Sequence, residues 1–164
     1  MKQSSLQVMA SYTRRLPRTR GWYLEPFYTW RDAFNIRIGN PNLEPEYIDS
    51  YELSYQKKFT QNVLSVDLYY RITNNKIEWV RGIYDDQPNV LLTTFENGGK
   101  DYSLGTEKML GFDPTSWWHF DNMGNLYDYK QRGELYGRDY SSSSFNWNAR
   151  LNNDFRITPS TRVQ

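Results

Sequence analysis

The chain has 164 residues and is nearly neutral, with 20 basic and 19 acidic residues and no cysteine. Balanced charge removes the electrostatic case for a nucleic-acid partner, and the missing thiols remove disulfides, thiol catalysis and thiolate metal sites. Its apolar mass comes as aromatic rings, 14 tyrosines, 8 phenylalanines and 6 tryptophans at a mean hydropathy of −0.86, which is unlike an aliphatic globular core.

Met1-Lys2 is not followed by a continuous apolar stretch, so no signal peptide is expected. Nor is there an apolar run of about 18 residues, which excludes a spanning helix. A spanning β-strand needs only about 9 to 11 residues with alternate ones apolar, so that possibility stays open.

Period-two patterning then predicts strands in chain order. Over 5–14, Leu6, Val8, Ala10 and Tyr12 oppose Gln7, Met9, Ser11 and Thr13. A long connection over 16–46 ends in "GNPNLEPE". There Pro41 and Pro45 lack backbone donors and turn Asn40 and Glu44 away from helix, giving an extended entry to the next strand at Tyr47. That strand, 47–59, sets Tyr51, Leu53 and Tyr55 against Glu52, Ser54 and Gln56. Over 63–73, Leu64, Val66, Leu68, Tyr70 and Ile72 take one face. A second long connection follows over 75–97, where "NGG" at 97–99 reads as a turn. The strand over 99–111 is weaker, with Thr106 and Lys108 on the face of Tyr102, Leu104 and Leu110. The register over 117–130 is ambiguous and suggests a bulge near 121–124. The last strand, 143–157, aligns Phe145, Trp147, Ala149, Leu151, Phe155 and Ile157, with only Asn153 interrupting the row.

Connections alternate between long and short. The short ones are "TQN" at 60–62, "DPTS" at 113–116 and "TPST" at 158–161; the others cover 16–46, 75–97 and 131–142. Structureless loops longer than about 12 to 15 residues are rare in compact soluble domains. Outer-membrane barrels pair tight periplasmic turns with long outer loops, so the short connections are expected at a periplasmic rim.

"SYTRRLPR", "LEPF" and "NIRIGNPNLEPE" leading into "SYELSYQKKF", then "LSVDLYYRITNNKIEWV" and a Gly-x-Glu strand in "LGTEKML", resemble the barrel of TonB-dependent outer-membrane transporters. The closest likeness is to the outer-membrane β-barrel family common in Bacteroidota. It runs over essentially the whole chain, and residues 40–46 carry its most specific part. Glu44 departs from it, since the family usually has lysine there.

The resemblance implies an all-β, antiparallel up-and-down meander forming about six strands of a transmembrane barrel of about 22. It further implies an interior piece of that barrel, without a plug domain or the terminal aromatic that such barrels use in assembly. The implied function is TonB-dependent uptake of a scarce ligand (siderophore, glycan, peptide or vitamin) in the bacterial outer membrane. The implied partners are outer-membrane lipid, TonB through a plug domain not present in this chain, a surface lipoprotein and the imported small or oligomeric ligand. No cofactor, metal or nucleic acid is implied. A soluble all-β module that binds carbohydrate or another ligand is the alternative. The two differ in whether Leu64, Val66, Leu68 and Tyr70 face lipid or a second sheet.

Residues 22–30 hold five aromatic rings in nine positions. Candidate ligand contacts on the long connections are Trp22, Tyr23, Phe27, Tyr28, Trp30, Arg31, Trp79 and Tyr84, with Arg18 and Arg20 nearby to attract anionic groups. Those rings could instead pack together to hold a long loop upright. Glu52, Asp67, Arg71, Glu107, Arg150 and Arg156 are candidates to line the lumen, where they would contact a plug. Trp117 and Trp118 read as an interfacial girdle and His119 as structural, while Asp121, Asn122 and Asn125 lack the spacing of a calcium loop. No nucleophile elbow, phosphate loop or paired metal-ligand motif is present, so no catalysis is expected.

Overall fold

A computed structural model describes residues 4–60, 62–135 and 138–164. The described chain is one antiparallel meander with two small strands attached. The strands are β1 (Ser5–Arg15), β2 (Thr29–Asp32), β3 (Asn35–Arg37), β4 (Tyr47–Phe59), β5 (Asn62–Tyr84), β6 (Gln87–Thr115), β7 (Trp118–Leu135), β8 (Arg138–Thr158) and β9 (Thr161–Val163), with one 3-10 turn at Gly21–Tyr23. Neighbours in the sheet run β1-β4-β5-β6-β7-β8-β9. β2 and β3 form a hairpin that leaves this path and joins β6 through β3.

Within the apolar band, register carries the alternation from strand to strand without a slip. One row reads Ala10–Leu53–Leu68–Thr106–Leu126–Trp147 and the next Tyr12–Tyr51–Tyr70–Leu104–Asp128–Phe145. All the apolar sets expected from period two therefore lie on one face. No second sheet covers that face among the described residues, and Leu68, Leu104 and Trp147 are 48%, 58% and 69% exposed. From Phe112 to Tyr102 the band spans ten residue-to-residue steps, about 34 Å along the strand, or about 26 Å of height at a tilt near 40°.

Three expectations change. The stretches 75–97 and 131–142 are not loops. β5 and β6 run on for 23 and 29 residues to a tight turn at Asp85-Asp86, and β7 and β8 extend the same way, with Leu135 opposite Arg138. The turn expected at 97–99 instead marks an irregularity inside the hairpin: the register shifts between Thr73 and Ile77, and Asn75 sits at φ 52°, a left-handed conformation that asparagine tolerates. The bulge expected at 121–124 is absent, since β7 pairs with β8 without a shift from Trp118 to Leu135. The turn expected over 113–116 falls at Ser116-Trp117, with Thr115 opposite Trp118. Trp117 therefore stands in the turn rather than in the strand.

What core exists lies beyond the band. Ile36, Val80, Val90 and Phe95 are the buried apolar residues, all where the segment 16–46 leans on the β5–β6 extension.

Candidate functional site

The segment 16–46 is a strap rather than a free loop. Its β3 lies parallel to β6, Asn35–Arg37 against Leu91–Thr93. Gly39 passes so close to the neighbouring turn that a Cβ there would stand 2.6 Å from the Glu25 backbone. Only glycine allows Gly39 N–H to reach Glu25 O at 2.8 Å and Asn40 N–H to reach Tyr23 O at 2.6 Å.

The Pro41–Pro45 element is fastened to the irregularity in the hairpin. Asn40 Nδ2 donates to Phe95 O at 2.9 Å, and Asn75 Nδ2 to Glu44 Oε2 at 3.0 Å. Asn97 Nδ2 donates to Glu44 O and Asn75 O, at 3.0 and 2.8 Å, while Asn97 Oδ1 accepts from Glu44 N–H at 2.7 Å. Glu46 Oε2 accepts from Ile77 N–H at 3.3 Å. Backbone groups at the irregularity thus find side-chain partners, Ile77 N–H from Glu46 of the strap and Asn75 O from Asn97 of β6.

The candidate aromatics divide into two groups. Trp22, Tyr23 and Trp79 pack around fully buried Phe95, with Tyr23 stacked on it at 4.3 Å and the two tryptophans meeting it edge-on at 5.2 and 5.1 Å. Arg37 lies over Trp22 at 4.6 Å and Arg31 over Trp79 at 5.8 Å. Phe27, Tyr28 and Trp30 are 71%, 55% and 50% exposed. Tyr28 and Trp30 meet Tyr84 at 5.5 and 6.4 Å, at the hairpin tip. A hydrogen bond to Asp86 raises the Tyr84 hydroxyl above its ordinary pKa, so the phenol is neutral.

Opposite the apolar face, the polar one carries Glu52, Asp67, Arg71, Glu107 and Arg150 together. Arg71 reaches Glu52 at 3.7 Å and Ser50 at 3.3 Å. Asp67 and Glu107 face each other directly across β5 and β6. Arg150 lies one row away opposite Met123 and bonds Asn152 at 3.3 Å. Arg156 borders the cleft beside His119.

The profile of the outer membrane protein β-barrel family matches residues 1–164. The chain belongs to that family. It resides in the bacterial outer membrane as part of an antiparallel β-barrel wall, so the apolar face meets lipid and the reading as a soluble module is set aside. No curated protein matches the chain.

In the barrel wall the close pairing of Phe59 with Asn62 and the tight turns at 116–117 and 159–160 mark the periplasmic end, and the long hairpins mark the outside. Trp117, Trp118 and Phe155 stack at the periplasmic rim at 5.9 to 6.4 Å, as an aromatic girdle does. Tyr12, Tyr51 and Tyr70 form the outer one, at 5.0 and 6.4 Å.

Sequence reasoning did not anticipate three polar clusters. Arg14 grips the buried Asp49 with two bonds, 2.7 and 3.0 Å, while Tyr12 donates to the same carboxylate at 2.8 Å. Just outside the band on the inner face, Lys76 bridges Asp101 at 2.8 Å and Glu78 at 3.0 Å. Tyr129 donates to Asp101 at 2.6 Å and Gln131 to Glu78 at 2.9 Å. Burial pulls the Lys76 ammonium down, but the two carboxylates outweigh it and hold it charged above its ordinary range.

The third cluster lies past the periplasmic end of the band. His119 is held between Asp113 at 2.5 Å and Asp121 at 3.2 Å, one carboxylate on each ring nitrogen. Both nitrogens donate only in the imidazolium, and the hydrogen bond to Asp113 raises its pKa. Glu78 and Asp121 stand two residues from Lys76 and His119 on the same strands, but Asp49, Asp101 and Asp113 come from another strand or across a turn, so no local motif announces the clusters. Among the described residues no group of three or more acidic or histidine side chains is placed to hold a metal ion.

Proposed function

We propose that the chain is a section of a larger outer-membrane receptor whose barrel takes up a scarce ligand in dependence on TonB. The observation that carries this reading is the fastened strap, which presents exposed Phe27, Tyr28 and Trp30 beside half-buried Tyr84 at the outer end of the β5–β6 hairpin, while Trp22, Tyr23 and Trp79 pack around the buried Phe95. Exposed rings backed by a packed support suit stacking on sugars or aromatic chelates. Resemblance of residues 40–59 to TonB-dependent barrels supports the coupling. On this reading further strands of the same barrel pair with β1 and β9, and Glu52, Asp67, Arg71, Glu107 and Arg150 meet a lumen-filling plug.

The test supplies cells bearing the protein with ferric siderophores, cobalamin, oligosaccharides and peptides in turn, before and after a protonophore collapses the inner-membrane gradient. Uptake that requires the protein and stops with the gradient supports the reading. Uptake that persists without the gradient, or none in any class, overturns it. The variant Tyr28→Ala/Trp30→Ala is expected to lose affinity at normal surface abundance. Trp79→Ala is expected to lower abundance instead.

A further inference from the structure

Above the outer tyrosine row, the lipid-facing side of β6 and β7 changes character. Leu104 pairs with Asp128, Tyr102 with Lys130 and Lys100 with Arg132. Because alternate residues share a face, Lys100, Lys130 and Arg132 all emerge on the lipid side. They stand one and two pleat repeats beyond Leu104, about 7 and 14 Å along the strand, at the height of headgroups rather than acyl chains.

Two clefts open between them and share Tyr102 and Arg132. The lower, about 340 Å³, is completed by Tyr70, Leu104, Asp128 and Lys130; the upper, about 540 Å³, reaches Asn75, Lys100 and Ser141. Asp128 pairs with Lys130 at 3.0 Å. Lys100 and Arg132 are exposed and have no ion-pair partner among the described residues. On this face Asp49 is held by Arg14 at 2.7 Å, and Glu134 and Asp139 oppose each other one row further out, with Asp139 at the margin of the upper cleft. Two unneutralised cations therefore look sideways into the headgroup layer, beneath the acidic row.

We infer that Lys100 and Arg132, with Tyr102 between them, form a binding site for the phosphate-bearing headgroup of an outer-leaflet lipid. Arg132 offers a planar fork for two phosphate oxygens, Lys100 a compact positive charge and Tyr102 a hydroxyl donor. Leu104, exposed just below, provides apolar surface for the first carbons of an acyl chain. Basic side chains at a membrane surface attract anionic lipid through this same chemistry.

The experiment uses the protein extracted from outer membranes in mild detergent. Thermal unfolding is followed with added phosphorylated lipid, with the same lipid after enzymatic dephosphorylation, and with inorganic phosphate. The phosphorylated lipid is expected to raise the melting temperature saturably, the dephosphorylated lipid and free phosphate not to. Lys100→Gln/Arg132→Gln should weaken the lipid about thirtyfold, whereas Lys57→Gln, on the same lipid face near the periplasmic end, should not. Equal response to dephosphorylated lipid, or unchanged affinity in the double variant, overturns the site. A response to inorganic phosphate at the same concentration makes it an ion site and overturns the lipid assignment. If the double variant does not assemble, Lys100→Arg/Arg132→Lys must retain binding and each single Gln variant must lose several-fold, or the inference fails.

Discussion

Asn97 and Glu44 exchange two hydrogen bonds across 53 residues, the asparagine amide closing on the Glu44 backbone as a neighbouring strand would. The third bond of Asn97, to Asn75 O, joins the strap and both strands of the hairpin at one side chain. Replacing it with alanine removes three bonds, each contributing about 1 kcal/mol. Asn97→Ala should therefore open the strap, and trypsin should cut at Arg18, Arg20 and Arg31 at least about tenfold faster than in the parent protein. Asn97→Asp keeps the acceptor alone and should fall between the two. Equal cleavage of all three proteins would show that the strap is held elsewhere.

Gly105 sits on the inner face between Tyr69 and Tyr127, and a Cβ there would stand 2.5 Å from the Tyr69 ring and 2.7 Å from Tyr127 Cβ. The tyrosine ring can swing away, but Tyr127 Cβ moves only with its backbone. Gly105→Ala is expected to destabilise the barrel by about 1–3 kcal/mol, read as a lower temperature for loss of the heat-resistant folded band in detergent. Tyr69→Ala should recover only part of that loss. Full recovery would mean that the Tyr127 contact is not limiting.

The faces of the sheet were legible in the sequence because one side meets lipid and the other does not, so Leu64 to Ile72 and Phe145 to Ile157 alternate without ambiguity. Beyond the band that selection ends. From Lys76 to Glu96 the strap covers one side of the hairpin, and the shift at Asn75 changes which residues share a face. Periodicity therefore lapses, and asparagine and glycine signals that form a bulge resemble turns. The split among the aromatics was equally hidden. Trp22 and Trp30 are alike in sequence context, and only the parallel pairing of β3 with β6 decides which is packed. The extended entry expected over both prolines begins only after Pro41, which stands in a turn at 41–42 where Leu43 N–H reaches Asn40 O at 3.4 Å.

His119 links protonation to the periplasmic turn. Its folded pKa is raised above the ordinary value near 6.5 by the hydrogen bond to Asp113. A raised pKa means stabilisation that is complete below the unfolded value and lost as pH rises through the folded one. Amide exchange at residues 113–119 should thus quicken between about pH 6.5 and the higher folded pKa, beyond the change from intrinsic exchange chemistry. His119→Gln should remove that excess, and Asp113→Asn should move its midpoint downward. A pH profile identical in the parent and His119→Gln proteins would exclude the imidazolium as the linking group.

Lys76 and Asp101 test whether the inner-face cluster is a coupled unit. Asp101 is 9% exposed, and its Oδ1 has no hydrogen-bond partner among the described residues, so its charge depends on Lys76 at 2.8 Å and Tyr129 at 2.6 Å. Removing the ammonium leaves a buried carboxylate without its counter-charge, a loss of about 3–5 kcal/mol. Removing both charges avoids that penalty. Lys76→Met should therefore unfold at clearly lower urea than the parent, while Lys76→Met/Asp101→Asn should regain more than half of the difference, because the neutral amide accepts from Tyr129 without needing a cation. The single variant Asp101→Asn should be the mildest, since Lys76 keeps Glu78 at 3.0 Å. Additive losses in the double variant would show that the two side chains act independently, and that the irregular register at Asn75, rather than the ion pair, holds the base of the hairpin in place.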